Sequence, residues 1–498
     1  MRGLVRTVVF LFASVLFLTV SVGPERAGNW LREQRASQDD ESSHSPDVSK
    51  LPRRDQTVRV SRARLKQTIE DFASFGSRVP GYPGHRLAYR TVRDTFESLG
   101  YDVEIDSFDV AVPIDHGGQI CILDTGQTFA AHSFWPNHVQ PPTLPEGGVT
   151  GRIVYGGRGS LAELDGQKIE DNIVLLDFAS GQNYLRVRSL GAAALLFYDD
   201  GHVTRAEAED KVLNVPADIP RYWIGRDAAA SLIDARPVIH LEARMTWEEV
   251  VSWNVIASPP AAPGSPVRLI LSSFYDAISV VPALAPGAEN ATGLAALFEI
   301  ARALRDRPSQ HKIVFVVNGA HFQALRGVRD FVYQHARGES RAGYVPIKDP
   351  IDFDTFLDVD LSSESNQVAM FPHGTLNNAA YATRHEVIGM VSHVAQLFAS
   401  YADSVFPGES RLIDAVTLGR RDWKDYMGSD LGLDSEVVMM VGRKGIGFAT
   451  VRAARRRVDT PVDIPDFVNF DNLVAQTEAL AEAAVMASND ARLVEGPD

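Results

Sequence analysis

Two loops near the middle of the chain hold most of the side chains that could do chemistry. The first, residues 272–290 (SSFYDAISVVPALAPGAEN), carries Asp276 and Glu289; the second, 318–326 (NGAHFQALR), carries His321. Further on, Asp358 and Asp360 close an alternating run, and Asp459 opens the stretch DTPVDIPDFVNFDN. A loop imidazole can move protons near neutral pH. Carboxylates can act as general bases or, grouped, hold a hard cation through oxygen. Each acid also has a plain structural use. Glu289 stands just before a helix, where the dipole favours any negative charge. Asp276 after a strand suits a turn or cap, and Asp358 and Asp360 can form Asx turns with Ser362 and Ser363.

The elements that must position these groups are legible around them. Apolar β-type runs at 267–271 and 313–317 flank a helix at 291–305, whose Leu294, Leu297, Phe298, Ala301 and Leu304 recur at helical spacing. Strand, loop, helix, strand is the order of a parallel β-α-β unit, in which the loops at the carboxyl ends of strands carry the chemistry. Other signals are weaker. Gly156–Gly159 (GGRG) lacks the Lys-Ser/Thr of a phosphate loop, and Cys121 has no thiol-protease context. Asn290-Ala-Thr292 matches a glycosylation acceptor inside the loop-to-helix turn, and the run 455–457 of arginines reads as a solvated turn.

With 498 residues the chain is long enough for two or three domains. Its 45% hydrophobic and 23% charged residues are those of a globular protein. A formal charge of −15 argues against nucleic acid as partner. One cysteine cannot form an internal disulfide. Arg2 and Arg6 precede an uncharged apolar run, 7–23, which reads as a signal anchor or signal peptide over 1–24. Pro24 disfavours cleavage, so the reading is a single-pass anchor with the bulk of the chain outside the membrane; a cleaved signal would make it secreted or periplasmic. Residues 25–58 are polar and read as a flexible stalk.

After the stalk, Leu65, Ile69 and Phe72 mark a short amphipathic helix, 86–99 a second helix ending at Gly100, and 103–108 a strand. Short β-like runs separated by Gly and Pro dominate 113–245, with one helical piece at 184–190. Later, 377–401 is mostly helical, 406–434 irregular, 437–441 and 446–451 strand-like, and 473–486 a closing helix.

Several motifs carry a family resemblance: Gly-Ser-Arg with Pro-Gly and a helix ending Leu-Gly-Tyr (76–101), Asn-Val-Ile (254–256), the loop around Glu289-Asn290, and Asp-Thr-Pro-Val-Asp (459–463). In these the chain resembles the zinc aminopeptidases that include secreted bacterial leucyl aminopeptidases and glutamate carboxypeptidase. The likeness extends over about 60–486. It implies an α/β fold with a mainly parallel central sheet and helices on both faces, over 59–112 and 246–490, and a β-rich protease-associated insert over 113–245.

The resemblance also implies a dizinc site, and here this sequence departs from it. Phe274 stands where the first His ligand is expected, and Asp276 where an acid orients the cluster. Glu289 replaces the bridging Asp. His321 takes the general-base position and Phe322 that of the next ligand. Asp360 matches a ligand, and Asp459 replaces the last His. Phenyl rings at 274 and 322 would deprive each zinc of a donor. The expectation is a catalytically degenerate relative, with no cofactor, whose cleft binds a peptide or protein partner. The alternative is an active metallo-aminopeptidase or amidohydrolase with one zinc or other divalent cation on Glu289, Asp360 and Asp459, assisted by His321.

Overall fold

The computed structural model describes residues 57–260, 267–307, 309–336, 351–375, 385–417 and 422–495. The apolar run 7–23, nearly all of the stalk, the turn at 261–266 and the start of the 377–401 stretch lie outside the described residues. Among the described residues, no helix is long and apolar enough to cross a membrane.

The strands in chain order are β1 (Asp102–Ile122), β2 (Thr128–Ser133), β3 (Val149–Tyr155), β4 (Ile173–Asp177), β5 (Ala194–Tyr198), β6 (Arg221–Ile224) and β7 (Val238–Ser258). They continue with β8 (Val267–Phe274), β9 (Lys312–Asn318), β10 (Thr355–Asp360), β11 (Val368–Phe371), β12 (Leu412–Asp414) and β13 (Lys444–Thr450). All join one sheet in the order β1-β2-β6-β5-β4-β3-β7-β9-β8-β10-β13-β11-β12. The four strands β9, β8, β10 and β13 are mutually parallel, while β7 and β11 flank them antiparallel. The mixed α/β fold with helices against a large central sheet is the one the sequence predicts.

Alternation along the parallel strands separates two cores, as period-2 geometry requires. Leu269, Leu271, Phe315, Val317, Leu357 and Val359 pack on one face with the helices Arg62–Ser74, Thr292–Arg305 and Phe470–Ala487. Ile270, Val314, Val316 and Phe356 pack on the other with Val328 and Val437, from the helices Arg326–Phe331 and Asp434–Met440. The helix Thr292–Arg305 is central, and only its Arg302 and Arg305 escape burial. It can lie this close to β10 because Gly293 has no Cβ, which would collide with the Val359 carbonyl.

Three expectations need correction. The strand expected over 103–108 runs on through Pro113 to Ile122, because β7 pairs with it antiparallel along almost its whole length. The register shifts between Asp115 and Gly118, so the ribbon bends at a bulge instead of ending at the glycines. The region 113–245 is strand-rich as expected but holds more helix than the one piece read at 184–190: β3, β4, β5 and β6 are parallel, with helices Leu161–Leu164, Asn183–Ser189, Arg205–Glu209 and Arg226–Ala235 between and after them. Two of these helices are announced only by caps, Ser160 and Thr204, since pieces this short show no apolar period. Both limits drawn for this region, 112/113 and 245/246, fall inside continuous strands. Finally, 437–440 is helical and Val441 caps it, where a strand is expected. Glu436 folds its carboxylate back to the Leu433 amide at 2.9 Å, which caps Asp434–Met440. A short apolar run does not by itself distinguish strand from helix.

Candidate functional site

The residues singled out in the sequence gather at the carboxyl ends of the parallel strands, because each ends a strand or follows one. Phe274 is the last residue of β8 and Asp360 the last of β10. Glu289 begins the 3-10 turn Glu289–Ala291 that leads into the central helix. His321 and Phe322 lie in the loop after β9, which is bent by positive φ at Ala320, Ala324 and Leu325. Asp459 follows β13 with φ +66 and is held against the loop after β8, its carbonyl accepting from the Val280 amide at 2.7 Å.

Three rings meet at one side of these strand ends. Phe274 stacks on His321 with centroids 4.0 Å apart and planes at 17°. Phe322 meets both edge-on, at 5.3 Å from Phe274 and 5.0 Å from His321. His321 is buried, and its Nδ1 donates to Asp434 Oδ1 at 3.0 Å. Asp434 is itself fixed on all sides. Its Oδ2 accepts from Asn318 Nδ2 at 2.7 Å, and its amide donates to Asp358 Oδ2 at 2.7 Å. Burial opposes charge on His321, but the Asp434 carboxylate and its hydrogen bond, with Asp276 and Asp360 nearby, raise the imidazole to about 9. Burial and the charge of Asp434 raise Asp358 well above the ordinary carboxylate range. Asp276, wholly buried, is pushed up to about 6 by burial, against the pull of His321. Its Oδ2 accepts from the Phe322 amide at 3.4 Å and its Oδ1 has no partner among the described residues.

The three remaining carboxylates each face a partner supplied by the protein. Glu289 accepts at Oε2 from the Ser363 amide at 2.8 Å and at Oε1 from the Ser363 hydroxyl. Burial raises it above its ordinary value, while the Ser363 bonds pull the other way. Asp360 pairs with Arg455, whose Nη2 lies 2.8 Å from Oδ1 and donates to the Asp360 carbonyl at 2.9 Å. Asp459 Oδ2 lies 3.2 Å from Nε of Arg205, which also faces Glu209 at 2.9 Å. Among the described residues, no group of three or more His, Cys, Asp or Glu is arranged to hold a metal ion.

Two local readings change. Arg455 is not a solvated turn residue: it is 3% exposed and turned inward with φ +48. The Asx turns expected of Asp358 and Asp360 with Ser362 and Ser363 do not form, because the Ser362 amide donates to Thr450 and the Ser363 amide to Glu289. Sequence reasoning also passed over Asp434, Arg205 and Asp463. Asp463 accepts from the Glu289 amide at 3.0 Å, and burial with the charge of Glu289 lifts it well above the usual range. The Thr-Pro-Val-Asp motif could have drawn attention to it; nothing local marks Asp434 or Arg205.

Residues 254–414 match the model of peptidase family M28. Among solved structures, a zinc aminopeptidase from Bacillus subtilis is similar over 87% of this chain and 96% of its own, at 15% identity and a TM-score of 0.53. An aminopeptidase from Aneurinibacillus sp. strain AM-1 is 20% identical over 88% of this chain and 97% of its own, with a TM-score of 0.47. A glutaminyl cyclase from Fimbriiglobus ruber is 13% identical over 88% and 98%, with a TM-score of 0.44. No curated protein matches the chain at a significant level. The likeness to the Bacillus enzyme shows the fold, and the resemblance read from the sequence stands for residues 254–414.

Proposed function

We propose that this protein carries the aminopeptidase fold without the hydrolytic chemistry and uses the cleft to bind a peptide or protein partner outside the cytoplasm. The N-terminal apolar run would hold or export it there. The observation that carries the reading is the set of partners found at the expected metal positions. A co-catalytic zinc pair needs a bridging carboxylate, donors at each end and a base for the bound water. Phe274 and Phe322 offer no donor atom. His321 stands where an acid would act as base, and it already gives its Nδ1 proton to Asp434. Loss of a general base alone costs roughly 10²–10⁴-fold in rate. Glu289, Asp360 and Asp459 are engaged by Ser363, Arg455 and Arg205. This donor set does not fit two zinc ions, and no step through zinc is assigned to it. A binding role needs only the loops and a mouth. The short helix Arg205–Glu209 reaches that mouth, donating from its first amide to the Arg456 carbonyl at 2.7 Å.

Metal analysis of the full-length protein, together with a screen of aminoacyl substrates and photocrosslinking in its native membrane, tests this. The expected result is far less than one zinc per chain, no turnover, and crosslinks from the loops after β8 and β9 to a peptide or protein. Stoichiometric zinc with turnover abolished in Glu289→Ala would overturn the reading in favour of a rebuilt one-metal enzyme.

A further inference from the structure

We propose that Arg455 is the built-in cation of the cleft: its guanidinium takes the charge-balancing place of a metal ion among Glu289, Asp360 and Asp459. This rests on the reading above that the cleft works without metal, and it goes further by naming what replaces the metal. Three acids at the mouth of an apolar sheet cannot stay ionised without a counter-charge. A guanidinium can supply one, because it is always charged and its planar fork suits carboxylate and carbonyl oxygen.

Three observations favour Arg455 over a neighbour. It is buried, and one terminal nitrogen serves both the carboxylate and the carbonyl of Asp360. Its charge also favours the ionised form of Glu289, after the Ser363 bonds, and of Asp459, after Arg205, although burial keeps both acids above their ordinary values. The backbone imposes its inward direction. The amides of Ala454, Arg455 and Arg456 donate to the Glu364 carboxylate at 2.7, 3.1 and 2.9 Å. Successive amides wrapped on one anion form a nest, which needs a left-handed residue, and Arg455 adopts φ +48. Glu364 therefore fixes the loop that delivers the guanidinium. Arg205, whose side chain is 18% exposed, is a second and outer cation that reaches Asp459 alone of the three.

The test compares thermal midpoints of the full-length protein with excess chelator, calcium or zinc. The wild-type midpoint should not move with any of them. Arg455→Met leaves Asp360 without its cation, and its midpoint should fall by roughly 3–5 °C. Added calcium or zinc should recover at least half of that fall. Asp360→Asn with Arg455→Met should be more stable than Arg455→Met alone and should lose the response to cations, which keeps the test readable even if the single variant does not fold. A wild-type midpoint that drops with chelator would overturn the proposal. So would an Arg455→Met protein as stable as wild type, or a double variant no better than the single. None of these readouts uses catalysis: turnover without any cation response would sink the functional reading and leave this one standing.

Discussion

Replacing Asp434 by Asn should reverse the pH dependence that His321 contributes to stability. His321 is buried, and its folded-state value of about 9 lies above the ordinary 6.5. Its contribution is therefore complete below pH 6.5 and is lost as the pH rises through about 9. That rise corresponds to about 3 kcal/mol. Asparagine keeps the shape of the side chain but has one oxygen: with that oxygen accepting from Asn318, its amide nitrogen faces the ring and donates to Nδ1 of the neutral imidazole, and the charge is gone. Burial, the largest single influence on this imidazole, then prevails and holds the ring neutral. The variant should lose about 3 kcal/mol at pH 6 and close the gap to wild type by pH 9 to 10. Its own stability should decline below pH 6.5, where the wild-type ring costs nothing to protonate. Denaturant titration at each pH, with ¹⁵N spectra reporting the tautomer and charge of the ring, measures both halves. Parallel stability curves for the two proteins from pH 6 to 10 would refute the pairing.

His85 gives the opposite sign: burial pushes it down to about 3, and its nitrogens bond the Arg78 carbonyl and the Ser252 hydroxyl. Its stabilisation is present above pH 6.5 and is lost as the pH falls towards 3, about 5 kcal/mol in all; His85→Gln should flatten the acid limb of a stability-against-pH curve, and an unchanged slope would count against a neutral buried ring. Phe274→His, His321→Glu and Phe322→Glu together should take up zinc only weakly by equilibrium dialysis, because Arg455 still holds Asp360; adding Arg455→Met should raise uptake by tenfold or more, about 1.4 kcal/mol. Equal uptake with and without that fourth change would mean the guanidinium does not compete with metal. Phe298→Ala, in the central helix away from the aromatic group, should cost about 3–5 kcal/mol by denaturant titration while leaving the His321 spectrum unchanged. A shift of that spectrum would show the cleft and the core to be coupled.

The frame of the fold was legible because it is written in short-range pattern. Ile313, Phe315 and Val317 alternate with Val314 and Val316 between two cores, and the helix Thr292–Arg305 carries its apolar period where the sequence places it. The loop residues were legible as positions, since Phe274 and Asp360 end strands and Glu289 opens a helix. Their partners were not. Arg455 meets Asp360, and Asp434 meets His321, across contacts of |i−j| 95 and 113, and no local period records such pairs. Arg455 looked like a solvated turn because its left-handed backbone, which turns it inward, depends on Glu364 far earlier in the chain. The helix Asp434–Met440 was missed for a related reason: its apolar run is short, and its start depends on a Glu436 cap that follows a leucine instead of a serine or threonine.

The acids Glu289, Asp360 and Asp459 and the phenyl ring of Phe274 are held in place by different physics. Each acid depends on donors of its own. Ser363 offers Glu289 an amide and a hydroxyl, and the loop after β13 offers Asp360 a guanidinium. Removing one member of such a pair strands the other in low dielectric, at roughly 3–5 kcal/mol. Phe274 carries no charge and is held by stacking on His321 at 4.0 Å. The acids buried here need a cation of the protein's own, whereas a phenyl ring needs none. Arg455 meets that need for Asp360 from the interior and Arg205 for Asp459 from the rim. The half-buried pair at the rim should therefore matter less: Arg205→Ala should cost about 1–3 kcal/mol, with a loss that shrinks as salt is added, while the loss at Arg455 should be indifferent to salt.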